Sequence, residues 1–491
     1  MPRWDPDDRP RLPIKLDAAS TGEYAPLPLP PEVQWAKAMA MARAGECARR
    51  LGVSRRRFLE TASGAALTFL CLNEAFAHVG QTGGYFEIPG GAALDAGDAA
   101  TKLAGDEFIF DAQTHYVNPN GAWRGRNRRW EQILARYFPQ GRCGLSDPVG
   151  CYSVDHFIKE IFLDSDTDMA ALSFVPAPAD ASPLTADEAA ATRAIVDAMD
   201  NSPRLLTQGL VITSLAPHQS SFDDMARMAE ELKVRAWKTY TGWAADGTGW
   251  WLDDEKVGIP FIERGRELGV KIVVCHKGWP FSGYELKYST CHDVGRVAKL
   301  FPDVNFVIYH SGYDSEVTEG PYDPKKAARG ANALVKSLTD NGIPPNSNVY
   351  AELGSTWWVL MRRPTQAAHL IGKLLRYVGE DRVLWGTDCI WYGSPQDQIQ
   401  AFRAFQIAEP LRERYGYPEL TTEIKAKIFG RNALQAYRVK PEEVRKKADA
   451  DRIGRLRVAY REDPRPSFQT YGPKTAAEFA ALKRGHGGLP G

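Results

Sequence analysis

The sequence has no excess of either charge, no long apolar run and no pair of cysteines at metal-binding spacing. Its 61 Lys and Arg residues are matched by 61 Asp and Glu residues, so the chain has no net charge to attract it to nucleic acid or to anionic lipid. A transmembrane helix needs about 20 apolar residues, and the sequence contains no such run. We therefore expect neither nucleic acid nor stable membrane insertion among its interactions.

Cysteine is scarce and irregularly placed. The seven cysteines include no C-x-x-C pair, so a structural zinc site made of thiolates is not expected. Cys143 and Cys151 lie close together in a loop that also contains Gly and Pro, and an oxidising compartment would allow them to form a disulfide. With 44% hydrophobic and 25% charged residues, the composition is that of an ordinary globular protein.

An export signal is indicated near the N-terminus. The segment SRRRFL at residues 54–59 resembles a twin-arginine motif, and it precedes an apolar run at 64–72 and an Ala-Phe-Ala sequence at 75–77. This order matches a signal with a peptidase site, so we predict a signal over 54–77, a periplasmic location and the twin-arginine export machinery as a partner. The alternative is a helix of the mature protein that carries three arginines, in which case the protein is cytoplasmic.

The body of the chain alternates short apolar runs with helical patterns. Such alternation is typical of βα units and a parallel sheet, and eight strands are the number that closes a barrel. The candidate strands are 108–112, 169–175, 205–212, 234–239, 271–275, 304–309, 348–352 and 383–385. We therefore predict an α/β fold, a (β/α)8 TIM barrel with a long insertion after strand one and extensions at both ends.

This interpretation divides the chain into five segments. They are an N-terminal extension (1–53), the signal (54–77), a linker (78–105), the barrel (106–440) and a C-terminal helical tail (441–491). The insertion over residues 118–154, which we call the lid, follows the first strand. Loops at that end of a barrel surround the catalytic mouth, so the lid is expected to cover or wall the substrate site. Its arginines either attract an anionic substrate or form a solvated surface.

Four ionisable residues fall at the ends of predicted strands. His115 follows the first strand, His276 and His310 end the fifth and sixth, and Asp388 follows the eighth. A lone histidine at a strand end is usually a satisfied hydrogen-bonding residue. Because the C-terminal ends of barrel strands converge on one site, four such residues together predict a shared centre of metal ligands or proton carriers.

At these strand ends the chain resembles the amidohydrolase superfamily, in the branch that includes aminocarboxymuconate-semialdehyde decarboxylase. The matching segments are FDAQTH (110–115), VVCHKG (273–278), VIYHSG (307–312) and LWGTD (384–388), supported by VRAWK (234–238), LDD (252–254) and KIFGRNA (427–433). The resemblance covers about residues 106–439. It implies a metal-dependent TIM-barrel enzyme of the hydrolase or lyase class.

The resemblance also implies a set of metal ligands. His115, His276 and Asp388 match ligand positions, and His310 matches a group that acts as acid or oxyanion stabiliser beside the metal. The family has a histidine where this chain has Gln113, whose neutral carboxamide oxygen is a weaker ligand than imidazole. The resemblance thus implies one divalent metal, zinc or alternatively manganese, that activates water, with Asp388 as the base.

The substrate is predicted to be small and planar. Aromatic residues follow several strand ends, and Trp279, Tyr313, Trp357 and Trp391 are the candidate pocket residues; aromatic side chains there favour an aromatic or unsaturated substrate. Lys238 is expected to contact a substrate carboxylate, since the carbamylated lysine of binuclear relatives fits poorly with a single-metal site. A homodimer is compatible with the resemblance.

Three functions remain at this stage. The first is a metal-dependent hydrolase of an amide, ester, lactone or carbon–carbon bond beside a carbonyl. The second is a nonoxidative decarboxylase of an aromatic or unsaturated acid, because the same metal cage can orient a carboxylate. The third is a metal-free binding protein that kept the barrel after losing catalysis at Gln113.

Overall fold

The computed structural model describes residues 11–20, 24–199, 203–212, 219–243, 248–279, 285–440, 444, 451–466 and 470–485. The predicted N-terminal extension and C-terminal tail therefore lie partly outside the described residues. No helix in these ranges is long and apolar enough to cross a membrane.

Eight parallel strands form the central sheet, in the order β2 to β9. They are β2 Phe110–Thr114, β3 Met169–Leu172, β4 Leu205–Leu210, β5 Ala236–Tyr240, β6 Ile272–His276, β7 Asn305–Tyr309, β8 Val349–Glu352 and β9 Val383–Leu384. The amides of Ala112 and His115 donate to the carbonyls of Trp385 (3.0 Å) and Cys389 (2.7 Å), which joins the last strand to the first. The predicted TIM barrel is confirmed, and every predicted strand overlaps an observed one.

Helices surround the barrel and also form much of the described N-terminal and C-terminal segments. We label the first three α1 Pro31–Arg50, α2 Arg55–Leu59 and α3 Ala62–His78. The others are Ala96–Leu103, Arg128–Arg136, Val154–Phe157, Ala186–Ala198, Gln219–Glu230, Gly258–Glu267, Val294–Leu300, Ala331–Asp340, Thr356–Leu360, Pro364–Lys373, Gln396–Ala404, Glu409–Tyr415, Thr422–Ala426, Asn432–Ala436, Arg452–Glu462 and Ala476–Gly485, with π-helical turns at Ile158–Leu163, Leu374–Val378 and Lys427–Arg431. Two short strands, β1 Gly84–Phe86 and β10 Phe405–Ile407, pair antiparallel.

Side chains of each barrel strand alternate between two cores. In β6, Ile272 and Val274 belong to the core inside the barrel, whereas Val273 and Cys275 belong to the larger core between sheet and helices. Both faces are apolar because a parallel sheet is covered on both sides. The helix Asn432–Ala436 closes the inner core from below.

The predicted signal folds as two helices. Ser54 caps α2 and Thr61 caps α3, each accepting a hydrogen bond from a backbone amide in the first turn. Most of α3 is buried, and its Phe69 ring lies 4.7 Å from that of Phe86 in β1. Within the structure this segment is therefore a packed layer between α1 and the barrel, and the predicted linker that follows contains β1 and the helix Ala96–Leu103.

The N-terminal strap, which we define as residues 11–20 and 24–29, runs over the barrel without helix or strand. Lys15 fixes it in place: its ammonium donates to the Ser394 carbonyl (2.6 Å) and pairs with Asp397 (3.1 Å), and both Lys15 and Asp397 side chains are buried. Arg362 donates to the Lys15 carbonyl (2.6 Å). The strap thus docks on the loop that follows β9.

The lid is closed by the predicted disulfide. Cys143 and Cys151 are bonded, with a sulfur–sulfur distance of 2.03 Å, so the predicted pairing is confirmed. The bond ties a loop to the turn Pro148–Tyr152, beside the helix Arg128–Arg136.

In the described part of the tail, Asp451 pairs with buried Arg204, and Arg457 donates to Asp168 (3.1 Å). These contacts attach the tail below β3 and β4.

Candidate active site

The four residues predicted from the strand ends lie together. His115 directly follows β2, His276 is the last residue of β6, and His310 directly follows β7. Asp388 lies four residues after the end of β9. All four line one small, buried cavity at the C-terminal end of the barrel, together with Gln113.

The imidazoles of His276 and His310 face each other across the cavity. Nδ1 of His310 lies 2.7 Å from the Gly354 carbonyl, and Nε2 of His276 lies 3.3 Å from the Trp279 carbonyl. A carbonyl only accepts hydrogen bonds, so these two nitrogens carry the protons. The remaining nitrogens, His276 Nδ1 and His310 Nε2, are 3.1 Å apart, within hydrogen-bond distance.

Both imidazoles are uncharged near neutral pH. Burial, together with the neighbouring His310, holds the pKa of His276 well below its usual value. Burial also lowers the pKa of His310 to about 4, although the charge of Asp388 opposes this. A proton is therefore not the cation that these facing nitrogens take at neutral pH.

Asp388 is held ionised by its partners. Its Oδ1 lies 3.1 Å from His115 Nε2 and accepts a hydrogen bond from the Gln113 amide at 3.0 Å. Burial alone would raise the pKa of Asp388, but His115, His310 and the Ser355 hydroxyl together keep it below the usual aspartate value. The carboxylate is thus available as a ligand or a proton acceptor.

A hydroxyl chain leads away from Asp388. Ser355 donates to Asp388 Oδ2 at 2.5 Å and shares a second hydrogen bond of 2.7 Å with the Tyr392 hydroxyl. The Tyr392 ring stacks on Trp358 with centroids 4.7 Å apart. This chain connects the reacting carboxylate to the loop on which the N-terminal strap docks.

Two further carboxyl groups lie beneath the cavity. Glu352, at the end of β8, accepts hydrogen bonds from the amides of His310 (3.0 Å) and Gly354 (2.5 Å), and burial raises its pKa well above the usual value. Asp111 accepts hydrogen bonds from the amides of Gln113 and Thr387, and burial raises its pKa to about 7. These groups orient the backbone of the strand ends.

The backbone is strained where it carries the reacting groups. His310, Ser355 and Asp388 have φ values of 65°, 53° and 60°, in the left-handed region that side chains other than glycine rarely adopt. Residues in such conformations cluster at functional sites, where surrounding packing enforces them. Strain at three neighbouring positions supports the functional assignment of this cavity.

Aromatic rings form the walls. Trp391 stacks on His115 (5.0 Å between centroids) and Tyr240 stacks on His276 (5.1 Å). The aromatic lining residues are Tyr24, Trp130, Phe138, Tyr240, Trp279 and Trp391. No Lys or Arg is among the described residues that line the cavity.

Three of the predicted substrate residues lie elsewhere. Trp357 packs against Phe402 and Phe405 on the outer side of β8. Tyr313 lies behind Trp279, with ring centroids 5.1 Å apart. Lys238 is fully buried under Tyr240, its ammonium 4.1 Å from the ring centroid, and burial lowers its pKa to about 7.

Sequence reasoning missed several wall residues. Tyr24 belongs to the N-terminal strap. No sequence pattern indicated that it lines the cavity, because neither a periodic segment nor a strand end precedes it. Trp130 and Phe138 lie in the lid, where the expectation of a substrate wall had no residue-level pattern to support it. Ser355 follows Glu352 within a loop at a strand end, so its position beside Asp388 was accessible to the same argument that identified the histidines.

The donor groups fit a metal ion. In the described part of the chain no group of three or more His, Cys, Asp or Glu side chains has metal-site spacing, because the donors form two pairs, His115 with Asp388 and His276 with His310. However, His276 Nδ1 and His310 Nε2 lie 3.1 Å apart, so that one cation could contact both nitrogens. Metal-ligating histidines characteristically donate their other N–H to a carbonyl, as both do here.

Gln113 supplies an additional oxygen. Its side-chain Oε1 is buried and has no hydrogen-bond partner among the described residues, whereas its amide nitrogen donates to Asp388. A buried carbonyl left without a donor costs free energy unless a ligand satisfies it. This atom is therefore a candidate ligand at the position where the family has histidine.

The comparison with protein families identifies a relationship over most of the barrel. Residues 160–439 match the family model for amidohydrolases, which is more than half of the chain and includes β3 to β9. The strand β2, with Gln113 and His115, lies before the matched region. No curated protein matches the sequence.

Several solved structures are similar at low identity. They include 5-carboxyvanillate decarboxylase from Sphingomonas paucimobilis (15% identity, 68% of this chain, 100% of that chain, TM-score 0.45), 2,6-dihydroxybenzoate decarboxylase from Rhizobium (14%, 68%, 99%, 0.40) and 4-oxalomesaconate hydratase from Rhodopseudomonas palustris (16%, 67%, 96%, 0.42). Family membership follows from the family model: the chain belongs to the amidohydrolase family of enzymes.

Proposed function

We propose that the protein is a metal-dependent, nonoxidative decarboxylase of a small aromatic or unsaturated carboxylic acid. The observation that carries this proposal is the placement of ionised Asp388 and of the facing imidazoles of His276 and His310, 3.1 Å apart, in a buried cavity walled by aromatic rings. A planar ring fits between such walls. A carboxylate that enters a cavity without cationic side chains loses its hydration, which favours conversion to neutral carbon dioxide.

The proposed metal ligands are His276 Nδ1, His310 Nε2 and the pair of His115 and Asp388, with Gln113 Oε1 as a further oxygen donor. When bound, a divalent cation supplies a Lewis acid that stabilises negative charge on substrate oxygens. Imidazole ligands suit zinc, whereas the carboxylate and carboxamide oxygens also suit manganese. Metal analysis of the purified protein distinguishes the two.

Asp388 carries the proton in the proposed reaction. The bond between the substrate carbon and its carboxylate breaks, the electron pair stays on that carbon, and the carbon takes a proton as carbon dioxide leaves. A substrate carboxylate beside Asp388 would raise the pKa of Asp388 through like-charge repulsion, so that Asp388 can hold this proton. Ser355 and Tyr392 provide a hydrogen-bonded path for its replacement.

His310 takes a different role from the one that its family position implies. Its single N–H is directed to the Gly354 carbonyl, and its pKa of about 4 leaves the other nitrogen unprotonated. An acid needs a proton directed at the substrate. The geometry therefore favours His310 as a ligand over His310 as the acid.

Hydrolysis is the second candidate, because ionised Asp388 is also suited to accept a proton from water. A substrate screen separates the two. The protein loaded with zinc or manganese is incubated with hydroxybenzoic and unsaturated acids while carbon dioxide is measured, and with aryl esters and lactones while ring opening or phenol release is measured. Carbon dioxide release supports decarboxylation, and turnover of esters or lactones alone contradicts it. Binding without turnover or metal supports a metal-free binding protein.

We also propose that the protein is exported. The arginines Arg55, Arg56 and Arg57 are exposed on α2, and the disulfide between Cys143 and Cys151 suits an oxidising compartment. Exchanging Arg55 and Arg56 for a Lys pair is expected to retain the protein in the cytoplasm, as measured by cell fractionation. Unchanged export would contradict twin-arginine transport.

A further inference from the structure

The catalytic cavity is completed by a part of the chain that lies outside the barrel. Tyr24 is one of the residues that line the cavity, although it precedes the first barrel strand by more than 80 residues in the sequence. Its ring packs on Trp279, with centroids 4.6 Å apart. Trp279 itself follows His276 by three residues, so Tyr24 lies at the entrance to the proposed ligand pair.

The strap that carries Tyr24 is anchored by buried polar contacts. Besides its ammonium contacts, Lys15 donates its backbone N–H to Asp397 at 3.0 Å. Ser20, fully buried, donates to the Tyr24 carbonyl at 2.6 Å. Removing any of these partners would leave buried polar groups unsatisfied, so the anchors hold the strap in one position.

The same anchors reach the reacting carboxylate. Arg362 donates to the Lys15 carbonyl and places its guanidinium over the Trp358 ring, 4.1 Å from the centroid. The Trp358 ring also stacks on the ring of Tyr392, whose hydroxyl shares a hydrogen bond with Ser355. The strap therefore supports both a wall of the cavity and the hydroxyl chain to Asp388.

We propose that the N-terminal strap is a permanent wall of the active site and that Tyr24 determines which substrates fit, by contacting the face or edge of the substrate ring. The specificity of Tyr24 for a ring rests on the proposed function, whereas the covering of the cavity by the strap does not. The ligand class is a small planar acid, because Tyr24 and Trp391 both line the small cavity that would hold its ring.

This proposal has a consequence for export. A cleavage after Ala77 would remove the strap, α1 and α3, and with them Tyr24 and the Lys15 anchor. An active enzyme with this wall must keep residues 11–77. N-terminal sequencing of the protein isolated from cells is expected to begin before residue 11, and a mature chain that begins at residue 78 and is fully active would overturn the proposal.

The first experiment measures how well Tyr24 shields the histidines of the cavity from a reagent in solution, and it does not depend on enzymatic turnover. Wild type, Tyr24→Ala and Tyr24→Phe are stripped of bound metal with a chelator and treated with diethyl pyrocarbonate, and acylation of each histidine is followed by mass spectrometry. Exposed His78 serves as an internal reference. We expect Tyr24→Ala to raise the rates at His115, His276 and His310 several-fold while Tyr24→Phe leaves them unchanged. Equal acylation rates of these histidines in all three proteins would overturn the proposal that the strap forms a wall of the cavity.

The second experiment measures specificity on the acids identified in the substrate screen. Tyr24→Ala is expected to raise KM by up to about tenfold, as for loss of one aromatic contact, and to admit bulkier rings, with a smaller effect on kcat. Tyr85→Ala is the matched control, because Tyr85 is 44% exposed and lies on β1. A loss of kcat with unchanged KM and unchanged substrate range would show a merely structural role. If no acid is turned over, the proposed function fails. The acylation rates still show whether the strap forms a wall of the cavity.

Discussion

The ionisable groups of the cavity and part of its aromatic wall come from two different regions of the chain. His115, His276, His310 and Asp388 follow strands of the barrel, whereas Tyr24 comes from the N-terminal strap and Trp130 and Phe138 from the lid. The positions of the first group are fixed by the register of a closed sheet. The second group is fixed by the strap and the lid, which lie outside the sheet. Under the proposed function, the chemistry would depend on the barrel, while the substrate range would depend on the strap and the lid.

Replacing Asp388 with Asn tests the barrel side of this comparison and has the largest expected effect. The substitution keeps the size of the side chain but removes the charge and the proton-carrying site, so turnover is expected to fall by about 10³-fold or more. The melting temperature should change little, because Asn retains hydrogen-bonding atoms for Ser355 and Gln113.

The control for this variant is Asp381→Asn, which changes an aspartate that pairs with Lys427 at the surface (2.8 Å). It is expected to keep wild-type turnover. Wild-type activity in Asp388→Asn, measured by carbon dioxide release, would remove Asp388 from the mechanism and leave the barrel without its proposed proton carrier.

Replacing Lys15 with Met tests the strap side. It leaves Asp397 buried and unpaired, which is expected to cost about 3 kcal/mol in the free energy of unfolding, measured by chemical denaturation. Lys336→Met is the control, because its pair with Asp340 is exposed and should contribute less than about 1 kcal/mol. A double variant with Asp397→Asn should recover part of the loss. Wild-type stability in Lys15→Met would mean that the strap is not docked through this pair.

Replacing Gln113 with His sharpens the comparison within the strand-end group. The family residue offers an imidazole in place of a carboxamide oxygen, and we expect zinc affinity to rise about tenfold or more, measured by competition with a chromogenic chelator. Gln140→His is the control, since Gln140 lies in the lid and donates to Glu160. Unchanged affinity in Gln113→His would place residue 113 outside the ligand set.

Replacing His369 with Gln tests a histidine remote from both regions and has the smallest expected effect. Burial, with a contribution from Lys373, lowers the pKa of His369 to about 4, below the unfolded value of about 6.5. The unfolded state therefore binds more protons between these values, so this histidine lowers stability as the pH falls from about 6.5 to 4.

The expected outcome is a smaller drop in stability for His369→Gln than for wild type between pH 7.5 and 5, by about 1 kcal/mol, which is about half of the unscreened linkage value because solvent screens this incompletely enclosed imidazole. Gln retains a polar atom for the Tyr417 hydroxyl, which lies 3.1 Å from His369 Nδ1. The same drop in both proteins would mean that His369 does not contribute to acid destabilisation.

The barrel, and the convergence of His115, His276, His310 and Asp388 on one cavity, were predictable from sequence because strand ends of a parallel barrel converge. This argument located His276 and Asp388 without any knowledge of packing. The prediction that Trp357 lines the substrate pocket was wrong. Trp357 and Trp358 are adjacent on the helix Thr356–Leu360, so their side chains project about 100° apart. Only Trp358 reaches the chain of contacts that leads to Asp388.

Contacts of irregular segments were not predictable in the same way. The contact between Tyr24 and Trp279 joins residues more than 250 positions apart in the sequence, and no repeat pattern connects them. The composition of residues 62–78 is equally compatible with a signal peptide and with the buried helix α3, because both require small apolar residues. The role of His310 depended on the position of one carbonyl, that of Gly354, which a motif does not specify.

The most direct test of the central claim is the metal content of the wild-type protein and of His276→Gln, measured by inductively coupled plasma mass spectrometry on samples whose carbon dioxide release is assayed in parallel. If the facing imidazoles hold the cation, the wild type contains about one divalent ion per chain, and the variant loses both the ion and the activity. Full activity of a wild-type protein without bound metal, or unchanged metal content in the variant, would contradict the account.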